Sequence, residues 1–319
     1  MTEIIDCFGH IMPQSVYEKL KEIHPTEAIA AHDEPYFYDV DQRLADMDEF
    51  GIDKQVLTLA SPPSWLGADP EAALPVVRHA NEEIRRIADE HPDRFIPVGT
   101  LPFLSGEYLD EFERCIDGLD MAGIQIFSNV DGAPLDSDEF EPFYDAVESR
   151  GVPLWMHPQL ADYGVTGDST FYAKVFGWLL DTSVALSRLV FSGVMDRHPD
   201  LNLIAHHMCA MVPHFSARIE TFYEAREFYP HTDWAELSEP VESYFKRFYG
   251  DTVLNGSVSA LHCGYEFFGA EHILFGSDYP YGPDHGRLWL GDTESIREMD
   301  LTEDESEKIL GGNLRSLIA

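Results

Sequence analysis

The chain has 319 residues, 44% of them apolar, which is enough for one large buried core. Its 58 acidic and 21 basic residues give a formal net charge of −37. So large an excess of carboxylates argues against binding to nucleic acid or to an anionic membrane, because like charges repel. It also fits a protein that works in high salt, where screening weakens the repulsion within the compact state, and we take a halophilic setting as a hypothesis.

The cysteines and the amino-terminal residues bear on the compartment. Cys7, Cys115, Cys209 and Cys263 lie far apart without a CxxC spacing, which predicts neither a disulfide framework nor a zinc ribbon. The opening MTEIIDCFGH lacks a basic segment followed by an apolar one, and no apolar run of about 18 residues occurs in the chain. We therefore expect a cytoplasmic protein in a reducing compartment.

Short apolar runs alternate with longer amphipathic stretches along the whole chain. The stretches predict helices over residues 44–50, 72–90, 109–117, 137–150, 171–187 and 302–310, and Ser137 and Thr302 are suitable N-cap residues for two of them. The apolar runs predict eight strands, over residues 4–6, 55–60, 96–101, 124–128, 154–157, 203–206, 248–252 and 273–276. Eight such units predict an α/β fold, a (β/α)8 TIM barrel that forms one domain over residues 1–319.

Two stretches are longer than a minimal barrel needs. Residues 13–41 follow strand 1, and residues 216–245 follow strand 6. Both leave the carboxyl ends of strands, where barrel enzymes build their active sites. We therefore interpret these inserted loops as lid or substrate-pocket elements.

Groups that can ligate a metal stand at the carboxyl ends of four predicted strands. His10 follows strand 1, His157 ends strand 5, His207 ends strand 6 and Asp278 ends strand 8. A single histidine at a strand end is more often a structural residue, but a barrel brings all four ends into one mouth. Imidazole and carboxylate together suit a divalent ion such as zinc, with an open position for water or substrate.

These segments carry a resemblance to a known family. The chain resembles the amidohydrolase superfamily, in particular the branch that contains aminocarboxymuconate semialdehyde decarboxylase and the resorcylate-type decarboxylases. The similarity runs almost from end to end and is strongest in IIDCFGHIMP, PLWMHPQ, LNLIAHHMCAMVPHFSARIE and HILFGSDYPYG.

The resemblance implies roles for particular residues. His10, His157 and Asp278 match metal ligands, for zinc or, as an alternative, manganese. His207 matches the histidine that acts beside the metal, and Asp278 can also transfer a proton. Arg218 looks like an arginine that meets a substrate carboxylate. Relatives are commonly homodimers, which implies a homodimer here, and Trp65, Tyr281 and Arg287 are interpreted as pocket residues on the catalytic face.

The opening motif departs from the family pattern. The family opens with Asp-x-His-x-His, or in some members with Glu in place of the first Asp or His. This chain has Asp6-Cys7-Phe8-Gly9-His10, so Phe8 occupies a ligand position without a lone pair to give. We expect Asp6 to have a structural role. Two glycines that usually follow the strand 6 histidine are replaced by Cys209 and Ala210. His206, next to His207, is expected to point away from the site and to pack against the outer helices.

Three functions are compatible with these residues. The first is non-oxidative decarboxylation of a small aromatic or dienoic carboxylic acid, with a proton delivered by Asp278 or His207. The second keeps the metal but hydrolyses a lactone, ester or amide with water activated at the metal. The third is a metal-poor barrel that binds a ligand without catalysis, which Phe8 favours.

Overall fold

The structure is a computed structural model that describes residues 2–23, 32–60, 69–159, 170–229 and 234–319. Within these ranges, no helix is long and apolar enough to cross a membrane.

Eight parallel strands follow one another around a closed barrel. Hydrogen-bonded ladders join them in chain order. The first and last strands meet through Cys7 N to Phe275 O (2.8 Å) and Asp278 N to Phe8 O (3.0 Å), which closes the barrel. The strands are β1 Ile5–Ile11, β2 Lys54–Leu59, β3 Phe95–Pro97 continued by Gly99–Thr100, β4 Ile124–Phe127, β5 Leu154–His157, β6 Leu203–Ala205, β7 Tyr249–Asp251 and β8 Ile273–Leu274.

Helices cover the outside of the barrel. The third is the longest, and its buried face carries apolar residues such as Leu74, Val77 and Ile84 at helical spacing. The helices are α1 Gln14–Ile23, α2 Val40–Phe50, α3 Pro70–Glu90, α4 Glu107–Glu113, α5 Glu141–Arg150, α6 Trp178–Phe191, α7 Val194–Arg197, α8 Val212–Glu224, α9 Val241–Phe245, α10 Val258–Phe268, α11 Arg287–Leu290, α12 Thr293–Arg297, α13 Glu303–Glu307 and α14 Asn313–Leu317.

Wide and tight turns extend several of these helices. Wide π-helical turns continue α4 over Arg114–Gly118, precede α6 over Ala173–Gly177 and join α13 to α14 over Lys308–Gly312. The turn before α6 is itself preceded by the short helix Thr170–Tyr172. Tight 3-10 turns lie at Pro35–Phe37, Asp138–Phe140, Arg226–Phe228 and Ala270–His272. A short antiparallel pair, Asn129–Val130 with Ala133–Pro134, follows β4.

Local side-chain chemistry explains two of the helix starts. Asp39 accepts a hydrogen bond from Gln42 N before α2, and Thr302 forms a reciprocal capping box with Glu305 before α13. The predicted cap at Ser137 is wrong. Its hydroxyl donates to Pro134 O instead, because the chain enters α5 through the 3-10 turn.

The predicted barrel is confirmed, and one strand differs in a way that matters for the site. β1 extends to Ile11, so His10 lies within the strand rather than after it. Between Asp6 and Gly9 the register against β2 shifts by one residue, which is a β-bulge. The bulge places Phe8 in an apolar cluster inside the barrel, with Val56, Trp155 and Ile204.

Candidate metal centre

His10 lies on β1 at the mouth of the barrel, and its Nδ1 is hydrogen-bonded to the neighbouring strand. Its Nδ1 lies 2.9 Å from Thr58 Oγ1, on the neighbouring strand, and Thr58 Oγ1 itself donates to Gly9 O at 3.1 Å. The threonine hydroxyl has one hydrogen, so its oxygen accepts from Nδ1–H, and the lone pair of His10 lies on Nε2. That Nε2 is buried, has no hydrogen-bond partner among the described residues and lies 3.1 Å from Asp278 Oδ1.

The end of β5 orients His157 in the same manner. Its Nδ1 lies 2.7 Å from Pro158 O, and a carbonyl oxygen can only accept. Nδ1 therefore carries the hydrogen, and the Nε2 lone pair is free for a ligand. The two imidazole rings meet edge to face with 5.2 Å between their centroids.

His206 also lies in the cluster, so its predicted position against the outer helices is wrong. It is fully buried, with Nδ1 2.5 Å from Asp251 Oδ2 and Nε2 3.3 Å from Asp278 Oδ1. The alternation of a strand does not reach this residue, because β6 ends at Ala205. The next residues, 207–210, all adopt left-handed backbone, with φ of 54–60°.

His207 lies beside His206 rather than opposite to it. Its backbone N–H donates to Asp251 Oδ1 at 2.9 Å, and the centroids of the two imidazoles are 3.9 Å apart. Its Nδ1 is buried without a hydrogen-bond partner among the described residues, although the residue as a whole is only half-buried. Asp251, which sequence reasoning overlooked, therefore fixes both histidines. The FYGDTVL run placed it at a strand end, a signal of the same kind as for Asp278.

The charges of the cluster follow from burial and from its two carboxylates. Burial lowers the pKa of His10 and of His157, and it lowers that of His207 to about 4, with neighbouring His206 adding to the effect. Burial also opposes a charged His206, but the carboxylates of Asp251 and Asp278 outweigh it and raise the pKa of His206 to about 10. The pKa of Asp278 is lowered despite burial, by His10 and His206.

The ligand atoms fit a divalent ion. In one group the nitrogens of His10, His157 and His206 all lie within 4.8 Å of one another, and so do the ligand atoms of His206, His207 and Asp278 in a second. At neutral pH the His10 lone pair faces the ionised Asp278 carboxylate at 3.1 Å, and two acceptors this close call for a cation. Neutral imidazoles and a carboxylate are suitable ligands for zinc and for related transition metals.

The structure brings four predicted residues, His10, His157, His207 and Asp278, into this cluster. Predicted pocket residue Tyr281 lies beside it, with its ring centroid 5.3 Å from that of His10 and its hydroxyl 2.7 Å from His32 Nε2. Trp65 lies outside the described residues. All of these roles stay predictions.

The two predicted substrate arginines lie elsewhere. Arg287 pairs with Glu49 (2.6 Å) and Asp46 (3.4 Å) on α2, so a substrate carboxylate would compete with two carboxylates already in place. The Arg218 guanidinium lies over the Phe222 ring, 4.5 Å from its centroid, in a groove between α6 and α8. The described hydrogen bonds, ion pairs and ring contacts join neither arginine to the histidine cluster.

Comparison with known proteins gives this geometry a context. A family model described as amidohydrolase matches residues 5–317. The chain belongs to the amidohydrolase family. The predicted superfamily and the prediction of an enzyme are both confirmed.

Several relatives are decarboxylases. The chain is 30% identical over 284 residues to 2-amino-3-carboxymuconate-6-semialdehyde decarboxylase of Dictyostelium discoideum, covering 86% of this chain and 75% of the relative. It superposes on 5-carboxyvanillate decarboxylase of Sphingomonas paucimobilis with a TM-score of 0.87 and 25% identity, over 100% and 99% of the two chains. A dihydroxybenzoic acid decarboxylase of Polaromonas sp. JS666, solved with manganese and the inhibitor 2-nitroresorcinol, matches with a TM-score of 0.79 and 25% identity, over 100% and 97%.

Proposed function

We propose that this chain is a metal-dependent, non-oxidative decarboxylase of a small aromatic or dienoic carboxylic acid. The observation that carries the proposal is the convergence of His10, His157 and Asp278 at the mouth of the barrel, in a chain whose relatives are decarboxylases. The aromatic side chains around the cluster support a flat substrate. Tyr281 lies beside His10, and Trp178 lies 6.0 Å from His157 between ring centroids.

His10, His157 and Asp278 would hold the metal, which supplies a positive charge that binds and polarises the oxygens of a substrate acid. In the reaction the bond between the carboxylate and its carbon breaks, CO2 leaves, and the electron pair stays on that carbon and takes up a proton. His207 and Asp278 are the groups of the cluster to which we assign this proton transfer. His207 is suited to it because its buried Nδ1 has no hydrogen-bond partner among the described residues and the residue as a whole is partly exposed.

The test is a substrate panel offered to enzyme loaded with manganese or with zinc. Hydroxybenzoates, a carboxyvanillate and an aminocarboxymuconate semialdehyde are assayed for CO2 release, and lactones and esters are assayed for acid release. We expect CO2 from at least one acid and deuterium at the vacated carbon when the solvent is ²H₂O. Hydrolysis of a lactone without any decarboxylation would overturn the proposal in favour of a hydrolase.

We also propose that the chain forms a homodimer through the groove between α6 and α8. This groove is lined by apolar side chains, among them Met211, Ile219 and Phe222. Phe215 and Phe222, which both line this groove, are each 41% exposed, so the groove presents a contiguous apolar patch. Arg218 lies in the same groove, so its predicted meeting with a substrate carboxylate would need a second copy of the chain.

The molar mass in solution, measured by light scattering coupled to size-exclusion chromatography, tests the dimer. Phe222→Asp should give a monomer, whereas Leu288→Asp, at a residue 55% exposed and elsewhere on the surface, should leave a dimer. A wild-type monomer would contradict the dimer without bearing on the reaction.

For the salt hypothesis, the net charge of −37 predicts that the thermal midpoint rises strongly between about 0.1 M and 3 M KCl, because screening removes self-repulsion. A thermal midpoint that does not change with salt would overturn the salt hypothesis.

We also propose a cytoplasmic setting, which the four free cysteines support.

A further inference from the structure

The first strand carries one candidate metal ligand, His10, and a phenylalanine, Phe8, where the resemblance implies a second ligand. Phe8 lies in the ligand position and is fully buried, with its ring 5.4 Å from that of His10 and 6.2 Å from that of His157. Its phenyl group cannot bind a metal. If the ion is to have a protein ligand beside His10, another residue of the chain must supply it.

His206 lies next to this place. Its imidazole stacks on the Phe8 ring, with 4.1 Å between centroids and 25° between planes. Its Nε2 points to Asp278 Oδ1, the same oxygen that faces His10 Nε2, at distances of 3.3 and 3.1 Å. Two ligand atoms bonded to one ion at about 2.0–2.2 Å are separated by about 3.0–3.5 Å, so both distances fit a common ion.

The surroundings of His206 are those of a metal-binding histidine. A ligating imidazole usually gives its other ring N–H to a carboxylate or a carbonyl, which fixes its tautomer and orientation. In this chain His206 Nδ1 bonds Asp251, as His10 Nδ1 bonds Thr58 and His157 Nδ1 bonds Pro158. The ring nitrogens of the three histidines therefore converge, and an ion bound there would displace the proton from His206 Nε2.

We propose that His206 is a fourth protein ligand, which replaces the ligand lost at Phe8 and gives a centre of three imidazoles and the Asp278 carboxylate. The inference deepens the proposed function, because it rests on the same metal site. A centre with three imidazoles, rather than the two of His10 and His157 alone, favours zinc over manganese, since imidazole suits zinc and carboxylate suits manganese. In that case Phe8 does not abolish the metal site, because the ligand is supplied by His206 after β6 instead of by β1.

X-ray absorption at the zinc edge tests this directly, because scattering from imidazole rings counts the bound histidines without any assay of activity. Wild type should show three imidazoles on one zinc, and His206→Ala should show two, with zinc affinity lowered by at least about 10-fold. His207→Ala is the matched neighbour and should keep three. Phe8→His combined with His206→Gly should restore three imidazoles with the ligand moved to β1.

Asp251→Asn provides a second variant if His206→Ala does not fold, and it should also weaken zinc binding, because it releases His206. Two imidazoles in wild type, or three in His206→Ala with unchanged affinity, would overturn the inference. These outcomes are separate from failure of the proposed function. A three-imidazole zinc protein that decarboxylates nothing supports the ligand assignment alone, and an active decarboxylase with two imidazoles refutes it alone.

Discussion

Two buried polar clusters share strand β1, and they differ in how fully their hydrogen-bonding groups are matched. At Asp6, both carboxylate oxygens are saturated by Phe8 N (3.1 Å), Ser277 N (2.9 Å), Gln55 Nε2 (2.6 Å) and Ser277 Oγ (2.5 Å). Four residues further on, His10 Nε2 has no hydrogen-bond partner among the described residues. A matched network is what structure alone requires, whereas an unmatched lone pair beside a carboxylate is an arrangement suited to binding a cation.

The two clusters should therefore differ in what their loss does to the protein. The Asp6 network, which Arg43 extends through Gln55 Oε1 (2.6 Å) to His10 O (2.5 Å), should matter for stability. The histidine cluster should matter for metal binding and turnover. The structural role expected for Asp6 agrees with its four hydrogen bonds.

The largest effect is expected at the histidine cluster. His157→Ala should lower kcat/KM by at least about 1000-fold, because the loss of a metal ligand removes several kcal/mol of transition-state stabilisation. The metal content of the purified protein should fall in parallel. His262→Ala, at an exposed position of α10, is the control and should keep both activity and metal. Full activity in metal-free His157→Ala would contradict a role of the histidine cluster in metal binding and turnover.

The next effect is expected in the matched network. Arg43 is fully buried and lies over the Tyr279 ring, 4.6 Å from its centroid, and Arg43→Met would leave Gln55 Oε1 and His10 O without their donor. Urea unfolding should show a loss of about 3 kcal/mol in the free energy of unfolding. Arg86→Met, at an arginine 50% exposed in pairs with Glu83 and Glu90, should change it by less than about 0.5 kcal/mol. Equal midpoints for the two variants would contradict a structural role for the network.

The smallest effect concerns the backbone that presents the second pair of histidines. Ala210 has a φ of 56°, in a left-handed run that glycine adopts without strain. Ala210→Gly should raise the free energy of unfolding by about 0.5–1 kcal/mol, net of the entropy that glycine adds to the unfolded chain. The same change at Ala217, exposed within α8, should lower it by about 1 kcal/mol. If both variants lose the same amount, the left-handed run is not strained.

Much of the fold could be predicted from the sequence because parallel strands are buried on both faces and read as short apolar runs. β5, for example, begins and ends where the pattern predicts, at Leu154 and His157. β1 was harder to delimit. The polar residues His10 and Asp6 interrupt its apolar pattern, and a bulge changes its register, although the strand extends to Ile11.

The positions of His10, His157, His207 and Asp278 could also be predicted, because a barrel gathers the carboxyl ends of its strands. His206 could not. Alternation along a strand places neighbouring side chains on opposite faces, but the strand ends before His206, and four left-handed residues then turn the chain. The bond from His206 to Asp251 and the stacking on Phe8 are not visible in local sequence, since both are contacts between strands distant in the chain.

The central claim is that the unmatched cluster on β1, β5 and the segments after β6 and β8 binds one divalent ion. Anomalous diffraction from crystals grown with zinc, recorded at the zinc edge, tests this most directly. We expect a single peak within about 2.0–2.2 Å of the Nε2 atoms of His10 and His157 and of an Asp278 oxygen. Crystals that show no peak there with zinc in excess would contradict it and would favour a barrel that binds its ligand without a metal.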